Sequence, residues 1–573
     1  MGTDNVLTAP RVSPRPEHSL GAATIPGVLR LAAQENSGIV MVDRELNETP
    51  LPYARLESMA RSVAAGLAHH GVRRGDRVVI MSSTSIASLG CLFGAWMAGA
   101  VPVIMPLPHR LSDLPELLAE IRRRLGHVGA SCLVVADTFH RFLARRIELD
   151  IPVLKCGDLA HHDIGAETFD EVDIDPDDVA YLQFTSGTTG NARAVTLTHR
   201  QMLTNVAAAW HDVMAVVEHP TTVLWLPLYH DMGLISMLGS VAIRSRLVLQ
   251  PPEEYLARPD SWVDALSRYR ATSTVAPNFA YELAGRGMLA RPRPLDLSSL
   301  LICGNGAEPI RADTMTRFAE VGAEYGLRPE AITPMYGLAE GTVAVASSPM
   351  AEPMYCDHVS RTDLIDRRYA RPVEPGDPDA RLLVVCGQPF PGIELEIRDD
   401  GGDVLSERHI GEVWFRSPSA MRGYWDEPEE TARVLVDGWV RTGDLGYLIP
   451  EGLVVCGRIK DMIIVGGRNL YPEDYEHIAA RVPGVGTMCV AFSLADTERM
   501  IVLVEPDNSV PDLSEVATTV MNRLRIQLGH APDRVSVVPR DTVPRTSSGK
   551  VQRGKCRQRY LNGDVTELAS VTR

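Results

Sequence analysis

The chain has no uninterrupted apolar run long enough to cross a bilayer as a helix, so membrane insertion is not expected. Its opening residues, MGTDNVLTAPRVSPRPEHSL, lack the apolar centre of a secretory signal, and Val6 stands where the myristoylation pattern needs Ser or Thr. Paired cysteines are missing too. Nine are scattered from Cys91 to Cys556 with no CxxC pair, which fits neither a disulfide framework nor a zinc site and points to a reducing, cytoplasmic setting. Positive charge is scarce: 57 Lys and Arg against 73 Asp and Glu leave a net charge of −16, which opposes non-specific attraction to nucleic acid or anionic lipid. No GxxxxGK[ST] run occurs, so the lysine loop of P-loop ATPases is absent, and no internal repeat is found.

What is present is a chain of 573 residues, 45% hydrophobic and 23% charged, the composition of a soluble globular protein too long for a single average core. A Pro-rich polar tail to about Ser19 is expected to be disordered. Helical stretches such as YARLESMARSVAAGLAHHG then alternate with β-branched runs such as RVVIM and CLVVAD, which favours stacked βα layers around parallel strands. DVAYLQF, TTVLWLPL, SRLVLQ and SSLLICG are further buried-strand candidates, and ligands of open α/β sheets bind at the carboxyl ends of such strands. From about residue 384 to 456 short alternating strands replace this pattern, with IELEIRDDGGDVL expected to form a hairpin around Asp400 to Gly402. Beyond GRIKD, the strands MIIVGG and MIVLVEP and helices near Pro472 to Val482 and Pro511 to Gly529 describe a small α+β domain of about one hundred residues. The fold class is therefore α/β: a large N-terminal domain with a β-rich subdomain, followed by a small α+β domain.

The run YLQFTSGTTGNARAVTLTHR carries the first chemical signal. Thr185, Ser186, Gly187, Thr188, Thr189 and Gly190 follow an apolar strand and precede a helix expected to start near Thr198. Glycines let backbone N–H groups curl inward and the hydroxyls add donors, so the loop suits phosphate; the alternative is a flexible linker.

TSGTTG resembles the phosphate loop of the adenylate-forming superfamily, which includes acyl-CoA synthetases, luciferases, peptide-synthetase adenylation domains and fatty acyl-AMP ligases. Further segments follow in the family's order: PMYGLAEGT, RTGDLGY, GRIKDMIIVGGRNLYPEDYE and PRTSSGK. The resemblance implies that ATP is the nucleotide and Mg²⁺ its companion. It implies that Tyr336 and Gly337, with Asn305, Gly306 and Ala307, surround adenine, that Asp444 and Arg458 serve ribose and α-phosphate, and that Glu340 is the metal-associated glutamate. Lys550 is implied to bridge the carboxylate and the α-phosphate, and Lys460 to be the hinge between a large domain at 20–458 and a mobile small domain at 459–573. The residue types suit these roles: an aromatic face for a purine, a carboxylate for ribose hydroxyls, an ammonium where like charges crowd. Taken singly, Tyr336 reads as a core aromatic and Asp444 as a turn former. Family loops commonly continue as TSGTTGxPKG, whereas Arg193 stands at the lysine position here.

LWLPLYHDMGLI resembles the LPxYHDMGLI segment of fatty acyl-AMP ligases, relatives of the long-chain fatty acyl-CoA synthetases. It implies that His230 sits at the mouth of an acyl pocket; a histidine bonded within a turn is the alternative. Met232 to Val241 and Phe279 to Gly287 are candidates for the pocket walls, and core packing explains the same residues equally well. A segment around Met354 to Leu382 resembles that branch's insertion, which disfavours transfer to CoA. The expected reaction is ATP-dependent activation of a fatty or other carboxylic acid to acyl-AMP, then transfer to the phosphopantetheine thiol of an acyl carrier protein. Transfer to CoA is the nearest alternative, and a catalytically inactive nucleotide-binding regulatory protein is one of a different class.

Overall fold

The computed structural model describes residues 19–107, 114–143, 145–146, 148–160, 169–185, 193–210, 217–218, 220–465, 468–494, 498–507, 512–545 and 551–573. The tail expected at 1–19 lies almost wholly outside the described residues.

Among these residues the largest sheet has nine strands. In order from one edge they are Gln388–Pro389, Ala344–Ser347, Ile332–Gly337, Ile302–Asn305, Ser273–Ala276, Thr221–Leu224, Arg246–Leu249, Gly38–Val42 and Glu48–Pro52. The six central strands, Ile332–Gly337 to Gly38–Val42, are parallel and the edges antiparallel. A second, fully parallel sheet has the order Val101–Met105, Arg77–Met81, Ala130–Val135 and Val153–Lys155. One core cluster joins the two, taking Val78, Ile80 and Val134 from the small sheet and Leu224, Leu247 and Leu249 from the large one. The helix Ile86–Met97 in that shared layer reads apolar on nearly every side because it is buried on nearly every side. Helices Asp260–Arg268, Asn278–Ala290 and Ala312–Ala323 contribute to a second core on the opposite face of the nine-stranded sheet.

Local chemistry sets the boundaries. Thr198 caps His199–Ala209 through a reciprocal pair, its hydroxyl accepting from Gln201 N and its own N–H donating to the Gln201 side chain. Asp512 caps Leu513–Leu528, which ends at left-handed Gly529 (φ 67°).

One expectation is corrected. DVAYLQF does not join a parallel sheet: Val179–Phe184 runs antiparallel to Ala194–Thr198, with Gly423–Tyr424 beyond. The TSGTTG run therefore joins two arms of a hairpin, closed where Thr185 N donates to Arg193 O at 2.8 Å, and a strand intervenes before the helix. The IELEIRDDGGDVL hairpin forms at the expected turn: Asp399 N donates to Asp403 O at 3.0 Å, Leu405 N to Ile397 O at 2.8 Å, and the Asp399 carboxylate accepts from the N–H groups of Gly401 and Asp403. The lasting partner of Glu394–Arg398 is Gly411–Arg416.

The second half forms a five-stranded sheet built on Glu394–Arg398, Gly411–Arg416, Trp439–Ile449 and Gly452–Arg458, with its own core. After Lys460 come a four-stranded sheet, Val485–Leu494, Arg499–Pro506, Arg534–Val537 and Ala569–Thr572, and the helices Pro472–Ala479 and Leu513–Leu528 that pack on it.

His199 shows what burial does to a titratable group. It is 2% exposed, and its Nδ1 accepts from Ile25 N at 3.3 Å. Burial lowers its pKa from 6.5 to about 4, against the opposing pull of Asp178. The neutral form is the one the fold accepts, so its contribution to stability is complete above pH 6.5 and is lost as pH falls toward 4. We expect the stability difference between wild type and His199→Gln to shift by about 3 kcal/mol against wild type over that interval, read from denaturant unfolding at each pH.

Candidate active site

Four neighbouring parallel strands end at one cleft. Trp225, Leu226 and Pro227 follow the Thr221–Leu224 strand, Pro277 and Asn278 follow Ser273–Ala276, Gly306 and Ala307 follow Ile302–Asn305, and Tyr336 and Gly337 close Ile332–Gly337; all line the cleft. Its volume is about 2570 Å³, and Asp444, Arg458 and Lys460 with the small domain's Glu476, His477 and Arg553 complete the wall.

At the centre lies Asp444, 3% exposed. Its Oδ2 accepts from the Tyr336 hydroxyl at 2.8 Å, and its Oδ1 pairs with Arg458 Nε at 2.7 Å. The Asp444 carboxylate holds the Arg458 guanidinium above its ordinary pKa, and burial followed by the same carboxylate pushes the Tyr336 phenol well up. Asp444 and Arg458 are also register partners in adjacent strands, which fixes the pair through the backbone. Lys460 stands next to this network in a single turn, Ile459–Asp461; burial and the Arg458 charge pull its pKa down.

Gly337 allows the chain beyond Tyr336 to fold back. A Cβ there would lie 1.6 Å from the Val343 carbonyl oxygen, so only glycine fits. Glu340 follows in the turn Ala339–Gly341, lines the cleft, and accepts from the Tyr424 hydroxyl at 2.7 Å through Oε1. Its Oε2 has no hydrogen bond among the described residues. A carboxylate oxygen left open on the cleft fits Mg²⁺, which takes one or two protein carboxylates and completes its shell from other oxygen ligands.

Other candidates are placed differently. Gly306 and Ala307 line the cleft, whereas Asn305 is fully buried, its amide turned to Asn278 Oδ1 at 3.3 Å and Met315 Sδ at 2.9 Å. His230 lines the cleft just before helix Asp231–Ala242, as do Met232 and Gly233 from that helix and Phe279 and Leu283 from Asn278–Ala290. Thr185 lines the cleft as well. Ser186, Gly187, Thr188, Thr189, Gly190 and Lys550 lie outside the described residues.

Several residues that sequence reasoning missed hold these groups in place. Asn205 binds the Glu340 turn, donating to Gly341 O at 3.1 Å and Ala344 O at 2.9 Å and accepting from Ala344 N at 3.1 Å. Glu412 ties the strand carrying Asp444, accepting from Arg441 at 2.9 Å and from Gly443 N at 3.0 Å. Gln183 donates to Tyr229 O at 2.6 Å and so joins the strand Val179–Phe184 to the His230 turn. Arg193 is bound to Glu430 and approaches Glu427 at 3.8 Å, with its guanidinium 5.2 Å from the Tyr424 ring centre. Its charge is thus engaged by two carboxylates at the base of the loop. All these partners are remote in sequence, and only the polar residues inside apolar runs, Asn205 and Gln183, left a trace.

The sequence profile described as AMP-binding enzyme matches residues 30–425. The chain belongs to this family. Among solved structures, one from studies of fatty acyl-adenylate ligases of E. coli and L. pneumophila superposes with a TM-score of 0.87 at 31% identity, covering 95% of this chain and 99% of that one. The medium-chain-fatty-acid–[acyl-carrier-protein] ligase JamA of Moorena producens is 30% identical over 557 residues, 92% of each chain. A Caulobacter vibrioides protein provisionally named an acyl-CoA synthetase is 32% identical over 570 residues, 97% of this chain and 99% of its own.

In this AMP-binding enzyme the segment around Met354 to Leu382 is an ordered unit: the strands Cys356–Ser360 and Ala380–Val384 pair antiparallel around helix Arg361–Asp366. Asp357 anchors it to the β-rich region through Arg408 and the Tyr447 hydroxyl, both at 2.9 Å. It also grips the small domain. Arg381, 6% exposed, pairs with Asp474 at 2.9 Å and lies 4.2 Å from the Tyr471 ring centre, while Asp366 meets Arg468 at 2.9 Å.

The Asp444 network makes a direct prediction for nucleotide binding. Asp444→Ala removes the acceptor shared by Tyr336 and Arg458 and is expected to weaken AMP binding by about tenfold to a hundredfold, the usual range for a hydrogen bond to a charged group. Calorimetric titration with AMP checks it; an unchanged dissociation constant removes Asp444 from the nucleotide site.

Proposed function

We propose that this AMP-binding enzyme activates a fatty acid with ATP, forming acyl-AMP and pyrophosphate, and passes the acyl group to the phosphopantetheine thiol of an acyl carrier protein. One observation carries the reading: the Tyr336–Asp444–Arg458 network and Glu340 open on the same cleft as the apolar side chains Met232, Phe279 and Leu283 of helices Asp231–Ala242 and Asn278–Ala290. A nucleotide and an aliphatic acid therefore have adjoining places. The fatty acyl-adenylate ligase likeness and the carrier-protein ligase JamA support the same chemistry.

In this reading Tyr336, Gly306 and Ala307 receive adenine, Asp444 the ribose hydroxyls, and Arg458 ribose or α-phosphate oxygens. A carboxylate oxygen of the acid attacks the α-phosphorus; the new O–P bond forms as the bond to the bridging oxygen breaks, and pyrophosphate leaves with that electron pair. Both reactants are anions, so a fixed cation stabilises the charge-crowded transition state more than the ground state. Lys550 is assigned that role, with the loop Thr185 to Gly190 around the phosphates and His230 at the mouth of the acyl pocket. Glu340 would hold Mg²⁺, which neutralises phosphate charge when bound. The small domain, 459–573, then turns about Lys460 to admit the thiol.

Arg193, where relatives commonly carry lysine, encourages the reading of a catalytically inactive nucleotide-binding protein. Its ion pairs with Glu430 and Glu427 give it another task, bracing the phosphate hairpin. Transfer to CoA stays the competing reading because the Caulobacter relative carries that name.

Acid-dependent exchange of labelled pyrophosphate into ATP, run with fatty acids of increasing length, tests the first half-reaction, whose products are acyl-AMP and pyrophosphate. Lys550→Ala should fold normally and lose on the order of 10²–10³-fold in acyl-AMP formation; near-wild-type turnover removes Lys550 from the site. For the second half-reaction, Arg381→Ala loosens the grip of the inserted segment on the small domain. Acyl-CoA formation should rise about tenfold with acyl-AMP formation little changed, equivalent to roughly 1.4 kcal/mol in the domain equilibrium. Mass spectrometry of acyl-AMP, acyl-CoA and acyl-carrier products checks both, and efficient acyl-CoA formation by the wild type overturns the carrier assignment.

A further inference from the structure

The cleft reaches well below the carboxyl edge of the nine-stranded sheet. Thr222, Ser273 and Ile302 form one row across three adjacent strands, paired Thr222 to Ser273 and Ser273 to Ile302, and all three line the cleft. The row is four residues short of Gly306, which places it about 13 Å below the nucleotide end at the usual strand rise. One step nearer the mouth, alternation sets Leu224 and Val275 on the same face, so an apolar stretch separates this row from the nucleotide site.

Two of the three residues in the row are polar. Thr222 is 3% and Ser273 8% exposed, and their hydroxyls stand 3.0 Å apart. Two hydroxyls bring two protons and a single bond between them uses one, so a donor and several lone pairs are left without a partner among the described residues. Ser236, 4% exposed on the helix Asp231–Ala242 that packs over this face, lines the same cleft, and its hydroxyl has no hydrogen bond among the described residues. Buried hydroxyl capacity at the end of an apolar channel is costly unless a ligand group answers it.

We infer that the acid activated here carries a hydroxyl or similarly small polar group at or beside its far end, received by Thr222, Ser273 and Ser236. The inference rests on the fatty-acid reading of the site and narrows it from aliphatic acids in general to those with a polar terminus. The hydroxyls select in both directions: they reward a bonding terminus and leave a bare methyl facing unsatisfied polar groups.

The test is ATP–pyrophosphate exchange over two matched series of acids of increasing length, one plain and one with the hydroxyl on the last carbon or its neighbour. Wild type is expected to prefer the hydroxylated acid in kcat/KM by about tenfold at the length that spans the channel. Thr222→Val, which keeps shape and removes bonding, and independently Ser273→Ala and Ser236→Ala should bring the two series together, in variants whose AMP binding and thermal unfolding match wild type. Equal use of both series at every length overturns the inference, as expected if ordered water satisfies the hydroxyls. A preference that survives all three substitutions overturns it too. Exchange with no acid of either series fails the fatty-acid reading itself, an outcome distinct from exchange without preference.

Discussion

The site depends on one carboxylate that is nearly closed off from water and yet open to a ligand. Asp444 accepts from a phenol and a guanidinium at once, and each donor comes from a different part of the fold: Tyr336 from the end of a central parallel strand, Arg458 from the last strand before the small domain. A buried anion is tolerable only when its partners are fixed. The β-rich region must therefore hold its place against the parallel sheet, and the turn Ile459–Asp461 is tied to the cleft through Arg458.

The same logic extends outward. Asn205 holds the Glu340 turn, Glu412 the strand of Asp444, and Gln183 the turn before His230; each is a buried or half-buried side chain bonding main-chain groups. Main-chain bonding leaves little rotational freedom, and catalytic groups need that precision. The acidic residues around Arg193 act likewise on the hairpin of Val179–Phe184 and Ala194–Thr198, with Tyr424 linking that cluster to Glu340.

Most of the architecture was legible because it is periodic. RVVIM, CLVVAD, TTVL and SRLVL became strands and YARLESMARSVAAGLAH a helix, as their patterns require. The motifs also ran in order, and that made the family readable. What could not be read was pairing. Val179–Phe184 looks like any buried parallel strand, and only the neighbour Ala194–Thr198 makes it one arm of a hairpin. Asn305 belongs to a motif that suggests a purine contact, yet strand alternation turns its side chain into the core while Gly306 and Ala307 reach the cleft. Glu412 carries no local signal because its partners lie about thirty residues away on the neighbouring strand. Such contacts follow from sheet order, which a single chain of letters does not state.

The sheet order also sets a timetable for synthesis. Among the described residues Gly38–Val42 is the first strand in chain order, and on one side it pairs with Glu48–Pro52, but its other neighbour is Arg246–Leu249, with Ile39 opposite Leu247. About two hundred residues separate these partners, so at ordinary ribosomal rates the first strand waits some 10–40 s for its permanent neighbour. During that wait an apolar strand edge is bare in the nascent chain. Its protection until then falls to the pairing with Glu48–Pro52 on one side and to the cell's chaperones on the other.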